Sequence, residues 1–304
     1  MVASHGFLRL EEVRVRDRPE VGGKAANLGE IAGMGLPVPS GFVIPTRLWQ
    51  LVPFNDDKDR QRSEDPQFPA ILSDILGRGF ADELLTWFDE LAVDLVSVRS
   101  SAVAEDSSDT SFAGIFKSLL GVRRSELVDA VIQCWISSLS PRARAYCQIN
   151  NIFPENVQMA VLVQELVEPT TSGVCFTSNP LTRHPAEQMM IEAVFGFGEA
   201  LASGTATPDS YSYDRNAKLI LSRTVANQQT KLGLVGGRLQ EVPLNPFAQD
   251  LQKLADNQIH QLAATCARIH NHFGMAQDIE FAFVDGALYF LQTRPITALQ
   301  QRSA

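Results

Sequence analysis

Apolar positions along the chain recur with two periods, and the change from one to the other marks out its elements. Gly22–Gly35 (GGKAANLGEIAGMG) carries Ala25, Leu28 and Ala32 at helical spacing between flanking glycines, and predicts a short helix. Gly41–Thr46 reads as a strand, whereas Val52–Pro69 is charged, holds three prolines and has no period, the mark of a surface excursion. Leu91–Ser100 is a buried strand that ends in a polar cluster. Ser125–Leu139 turns Val128, Val131, Ile132, Trp135, Ile136 and Leu139 to one side of a helix, and Val157–Val167 returns to strand character. Further strands are expected at Ser172–Ser178 and Met189–Val194. A long helical segment, Asn245–Phe273, aligns Leu262, Cys266, Ile269 and Phe273, and the pair Asp278–Phe283 and Ala287–Thr293 reads as a terminal hairpin. Helices and strands are interspersed, so the expected fold class is α+β with two lobes.

Composition narrows the picture. The 304 residues are enough for two cores, and a hydrophobic fraction of 45% is that of an ordinary globular protein. With 26 Lys+Arg against 35 Asp+Glu the net charge is -9, which argues against a nucleic-acid surface. An acidic chain can still bind one nucleotide through a few local cations. Cys134, Cys147, Cys175 and Cys266 lack C-x-x-C spacing and read as reduced core thiols. No apolar leader or 18-residue apolar run is present, so no membrane partner and a cytoplasmic location are expected.

Candidate chemistry clusters at a few points. Lys24 follows a glycine pair in the first turn of its predicted helix, where amides, the positive helix end and an ammonium can converge on a phosphate. GGK is not the full G-x-x-x-x-G-K-[ST] pattern, so a surface lysine beside a turn is the competing explanation. Arg99, at a strand end before Ser100 and Ser101, suits either a bidentate phosphate contact or a structural pair with Glu105, Asp106 or Asp109. The small, turn-forming segment that follows is either a loop over phosphates or a solvent loop.

Gly196-Phe197-Gly198 resembles a dinucleotide fingerprint only superficially, since Leu201 stands where the third glycine belongs. Glu199 either caps the helix that follows or faces a nucleotide.

In the terminal hairpin, period-two alternation groups Asp278 with Glu280, and Gln292 with Arg294. A three-residue Val284–Asp285–Gly286 loop would pair Phe283 with Ala287 and bring both groups to one face, with Glu280 and Gln292 as diagonal oxygen ligands for Mg²⁺. The bland alternative is a salt bridge from Arg294 to Asp278 or Glu280. The histidines form no metal pair, and no H-E-x-x-H or G-x-S-x-G motif occurs.

Five ordered segments carry a resemblance: VGGKAANLGEIAGMGLPVPSGFVI, VSVRSSAVAEDSSDTSFAG, VQELVEPTTSGVCFTSNP, EAVFGFGEALASGTATPDSY and DIEFAFVDGALYFLQTRPIT. Together they resemble the N-terminal ATP-binding domain of phosphoenolpyruvate synthase, pyruvate phosphate dikinase and related antibiotic and phenol phosphotransferases. The resemblance implies an ATP-grasp-like fold of two lobes with nucleotide in the cleft, residues 1–185 forming the first lobe and 186–304 the second. Lys24, Arg99 and Arg294 would then contact ATP phosphates, and the Asp109–Gly114 loop would cover them. Gln164, Glu165, Leu166 and Val167 would form the hinge beside adenine. Glu280 and Gln292 would bind Mg²⁺, with Asp278 and Glu199 as supporting or nucleotide-contacting groups. The implied reaction is AMP-producing phosphoryl transfer to a histidine on a separate domain or subunit, and an acceptor-binding domain would pass the group to a small molecule. No segment here resembles the motif around that histidine, so the chain is expected to be one component of the cycle. The alternative is a nucleotide-sensing or interaction protein that keeps the cleft without phosphotransfer.

Overall fold

In both halves of the chain the apolar runs pair edge to edge into antiparallel sheets, and helices cover the faces that would otherwise be wet. The computed structural model describes residues 6–50, 67–104, 114–150, 152, 157–179, 182 and 187–296. The chain forms two compact units, Met1–Gly35 with Pro39–Leu166, and Leu36–Val38 with Val167–Ala304. This division falls after Leu166 where the sequence suggested 185, because the strand Thr171–Phe176 pairs with Gln277–Val284 and so belongs to the second unit.

The first unit runs β1 (Leu8–Arg9), α1 (Arg18–Gly33), β2 (Gly41–Ile44), α2 (Thr46–Trp49), α3 (Phe68–Leu91), β3 (Val96–Ala102), β4 (Ser118–Val122), α4 (Leu127–Ser137), α5 (Pro141–Ile149) and β5 (Met159–Glu165). Its sheet has the order β1-β2-β5-β3-β4. Phe42, Ile44, Val98, Val161 and Val163 from the sheet join Leu72, Phe80, Leu84 and Phe88 of α3 and Val131 and Trp135 of α4 in one core. Trp135 is fully buried, so its indole N–H needs an acceptor, which it finds at 3.2 Å in the Met159 carbonyl. Truncating such a residue to alanine costs about 3–5 kcal/mol.

Two local expectations change. Leu91 ends a helix, and the strand begins only at Val96, because Ala92 takes a left-handed conformation (φ 54°) that stops the helix and turns the chain. The helix α3 was not anticipated: it begins at Phe68 inside the supposed surface excursion, whose residues 52–66 lie outside the described residues, and it is interrupted at Gly77 (φ 74°).

The second unit contributes β6 (Thr171–Phe176), β7 (Gln188–Phe195), α6 (Glu199–Ala202), β8 (Asp209–Asp214), β9 (Leu219–Thr224), β10 (Thr230–Val235), β11 (Arg238–Pro243), α7 (Asp256–Phe273), β12 (Gln277–Val284) and β13 (Ala287–Pro295). Its main sheet has the order β13-β12-β6-β7-β8-β9, and β10 and β11 form a separate hairpin. Ile279, Phe281, Phe283, Leu288 and Phe290 are buried, as are Ile259, Leu262, Cys266 and Ile269 along α7, which packs on β12. The expected helix from Asn245 is two elements: a short 3-10 turn at Pro246–Ala248, then α7 from Asp256. Gly274, at φ 67°, closes α7 by donating its N–H to the His270 carbonyl at 2.9 Å.

The terminal hairpin departs from its expected register. Val284 pairs with Ala287 across a two-residue turn, in which Asp285 (φ 49°) and Gly286 (φ 86°) both take the left-handed conformation that such a turn demands. The register then shifts, Phe281 pairing with Phe290 but Glu280 with Gln292, so Leu291 is an extra residue in β13. All four cysteines are buried thiols, and burial pushes Cys134 up to about 12. Among the described residues no helix is long and apolar enough to cross a membrane.

Candidate functional site

In the first unit, Lys24 sits just past a break in α1. Gly22 has φ 75° and ψ 171°, so the helical path restarts at Gly23 and leaves Lys24 in the first turn. The side chain is buried along its length, with 8% of the residue exposed, and Nζ donates to the Ser100 carbonyl at 3.2 Å. Ser100 belongs to β3, next to Arg99, and Arg99 pairs with Leu162 of β5 and Ser118 of β4. Lys24 and Arg99 therefore come from sequence-distant segments joined through one strand. Glu105, Asp106 and the loop 109–113 lie outside the described residues.

Gln164 to Val167 lie where β5 ends. Gln164 is buried and its side-chain amide donates to the Pro39 carbonyl at 3.0 Å. The Glu165 and Leu166 amides donate to the carbonyls of Ser40 (2.8 Å) and Leu95 (3.1 Å). Those two donors are thus committed to holding the segment straight.

In the second unit, a polar row replaces apolar residues on one face of the sheet. Asp278 opposes Arg294 and Glu280 opposes Gln292 on adjacent strands. Arg294 donates through Nε (2.9 Å) and Nη2 (2.7 Å) to the same carboxylate oxygen, Asp278 Oδ2. The other oxygen, Oδ1, is buried with no hydrogen-bond partner among the described residues. Burial pushes the Asp278 carboxyl above its usual range; Arg294 opposes that shift and nearby Glu280 adds to it.

Two groups in this unit went unread in the sequence. Glu192 of β7 aligns with Glu280 through Val174 of β6, which puts both carboxylates on one face, about 10 Å apart across two strand spacings. Burial raises the Glu192 carboxyl. A lone Glu inside the apolar run MMIEAV was the available signal. The second is a fully buried ion pair: Lys253 Nζ lies 2.9 Å from Asp209 Oδ1. Asp209 also accepts from the Tyr211 hydroxyl (2.7 Å) and the amides of Ala226 (2.9 Å) and Lys253 (2.8 Å). Nothing local in the sequence links these positions.

Glu199 opens α6, past the Gly196-Phe197-Gly198 turn. That turn docks on β10, with Phe197 N–H donating to the Leu232 carbonyl at 3.0 Å, and a Cβ on Gly196 would lie 2.2 Å from that same oxygen. The glycine therefore serves backbone packing, not a dinucleotide. Phe195 aligns with Phe283 through Thr171, so the turn that carries Glu199 leaves the sheet at the hairpin end of β12, away from the Asp278–Arg294 pair.

A family model described as pyruvate phosphate dikinase, AMP/ATP-binding domain, matches residues 18–304. The chain belongs to this family. It is 34% identical over 95% of its length to a probable phosphoenolpyruvate synthase of Methanothermobacter thermautotrophicus, covering 46% of that protein. It is 33% identical over 98% of its length to a rifampicin phosphotransferase of Streptomyces sviceus, covering 36% of that protein. The chain thus spans less than half the length of these curated relatives. Among solved structures it is similar to D-alanyl-alanine synthetase A of Vibrio cholerae, at 9% identity and a TM-score of 0.38, over 94% of this chain and 64% of that one.

For a pyruvate phosphate dikinase AMP/ATP-binding domain, the donor set suits Mg²⁺ shared with a ligand. Glu280 and Gln292 supply two hard oxygens on facing positions, and among the described residues no group of three His, Cys, Asp or Glu could cage a metal. Mg²⁺ keeps most of its shell for water and phosphate oxygens, so two protein ligands fit. The unpartnered Asp278 Oδ1 beside them is a further acceptor.

Proposed function

We propose that the chain is the ATP-binding component of a dikinase-type phosphotransferase, activating ATP with Mg²⁺ for transfer of a phosphoryl group to a histidine on a separate domain or subunit, with AMP as product. The observation that carries this reading is the facing quartet Asp278, Glu280, Gln292 and Arg294 in a chain whose family match spans residues 18–304. A half-buried polar row with a paired guanidinium and two oxygen donors serves phosphate chemistry better than packing.

In this reading the fold is ATP-grasp-like. Lys24, Arg99 and Arg294 offset phosphate charge, Arg294 being held in one orientation by Asp278. Glu280 and Gln292 hold Mg²⁺, which when bound neutralises charge on the transferring group. The carbonyls after Gln164 and the Val167 amide face adenine, and Glu199 lends secondary support. The acceptor is a small molecule reached through the histidine-bearing partner, and the buried thiols accord with a cytoplasmic location.

Titration calorimetry with MgATP tests the binding step, and a folded sample that takes up no ATP overturns the proposal. Incubation with labelled ATP and histidine-bearing domains of the longer relatives tests the transfer. Label on one histidine with AMP as the released nucleotide is the expected result. Selective ATP binding with no transfer to any partner would instead mark a sensor.

A further inference from the structure

The break in α1 is closed by a residue from another strand. Once the helix restarts at Gly23, Gly22 occupies the N-cap position and Ala25 the third helical position, whose N–H ordinarily donates a hydrogen bond to the capping side chain. Glycine has none to offer. The fully buried Ser101 of β3 stands in: its Oγ accepts the Ala25 N–H at 3.1 Å and donates to the Val21 carbonyl at 2.8 Å. One hydroxyl therefore grips the chain on both sides of Gly22–Gly23–Lys24.

The approach is close enough to demand glycine. A Cβ on Gly22 would lie 2.0 Å from the Ser101 carbonyl oxygen and 2.5 Å from its Oγ. The neighbouring Ser100 carbonyl takes the Lys24 ammonium at 3.2 Å. Consecutive residues of β3 thus fix the backbone and the far end of Lys24, on the strand that also carries Arg99.

We propose that Ser101 is a positioning residue for phosphate recognition, acting through Lys24 by clamping the turn that carries it. The proposal rests on the reading above, in which Lys24 contacts the phosphates. A hydroxyl that served folding alone would affect every ligand alike. One that aims Lys24 affects the phosphate-dependent part of affinity.

The test uses the full chain and four proteins: wild type, Ser101→Ala, Lys24→Met and the double variant, titrated with MgATP and with adenosine. For Ser101→Ala we expect MgATP affinity to fall about tenfold, the scale of one lost hydrogen bond, with adenosine affinity unchanged. The double variant should bind MgATP no more weakly than Lys24→Met, because residues that act as a unit are not additive. Where Ser101→Ala fails to fold, Ser101→Cys reads the same split, since a thiol keeps the volume but bonds weakly. Wild-type MgATP affinity in the serine variants, beside a weakened Lys24→Met, overturns the clamp and leaves the functional reading standing. Equal losses for ATP and adenosine also overturn it, by showing a structural role. Unchanged binding by Lys24→Met removes both.

Discussion

Glu280 faces Gln292 directly across β12 and β13, and the extra residue Leu291 between Phe290 and Gln292 is what permits it. In an unbroken strand Leu288, Phe290, Gln292 and Arg294 would share one face, since side chains alternate. The bulge inverts the phase, so Leu288 and Phe290 enter the core while Gln292 and Arg294 join Glu280 and Asp278 on the other side. Glu280→Gln keeps the shape and removes a charge. Its MgATP affinity should fall by about tenfold, ~1.4 kcal/mol, with binding of ATP in the presence of a chelator almost unchanged. Calorimetry in both buffers checks this, and equal losses in the two would show that Glu280 does not act through the metal.

Asp278 and Arg294 make separable predictions. Burial raises the Asp278 pKa in the folded chain, so its protonated form contributes stability that is present below the ordinary 3.8 and fades as pH rises through the folded value. Near pH 7 the ionised group is thus not a large source of stability, and Asp278→Asn should shift unfolding by no more than about 1 kcal/mol while lowering phosphoryl transfer. Arg294→Ala should cost more, about 1–3 kcal/mol, because the carboxylate stays buried without its donor. Urea unfolding ranks the two, and the reverse order would contradict the geometry.

A buried ion pair and an exposed one offer a contrast within the second unit. Asp209→Asn leaves Lys253 charged in a dry site and should destabilise by about 3–5 kcal/mol. Arg223 and Asp256 also pair, at 2.9 Å, but with 44% and 54% of their side chains exposed, so Arg223→Ala should leave the urea midpoint almost where it was. Comparable shifts for the two would refute the distinction.

His270 makes stability depend on pH. Arg215 can only donate, so the contact of its Nη1 with His270 Nε2 at 3.3 Å assigns the proton to Nδ1, which then donates to Thr177 Oγ1 at 2.9 Å. Burial, with the Arg215 charge adding to it, holds the ring below the usual 6.5. A lowered folded pKa contributes stability that is present above 6.5 and lost as pH falls through the folded value. Urea midpoints for wild type and His270→Gln should therefore differ most above 6.5 and converge in acid. Divergence on acidification would mean that the ring is charged in the folded protein.

Some elements were legible because one face is wet and the other dry. The inward residues of α4 and the stripe on α7 follow helical spacing; α4 appears close to where the pattern puts it, and α7 ends at Phe273 as expected but begins at Asp256, not Asn245. The strands β9 and β11 were not legible, because they are mostly exposed and alternation has no dry face to mark. At the candidate site, residue types alone singled out Asp278, Glu280, Gln292 and Arg294. Their pairing was misjudged, because a two-residue turn plus a bulge brings them together as well as a longer loop would, and only the backbone distinguishes the two. Ser101 escaped notice because its partners, Val21 and Ala25, lie 80 and 76 residues away.

Leu36–Val38 belongs to the second unit although it precedes most of the first, and the Pro37 carbonyl accepts the Phe290 N–H at 2.9 Å in the middle of β13. A single cut after Leu166 therefore cannot release the second unit intact. A fragment beginning at Val167 would carry the whole polar quartet yet lack the acceptor beside the very bulge that sets its phase. Testing that half alone for the proposed Mg²⁺ binding calls for a circular permutation or a grafted 36–38 segment, since truncation would separate the quartet from part of what aligns it.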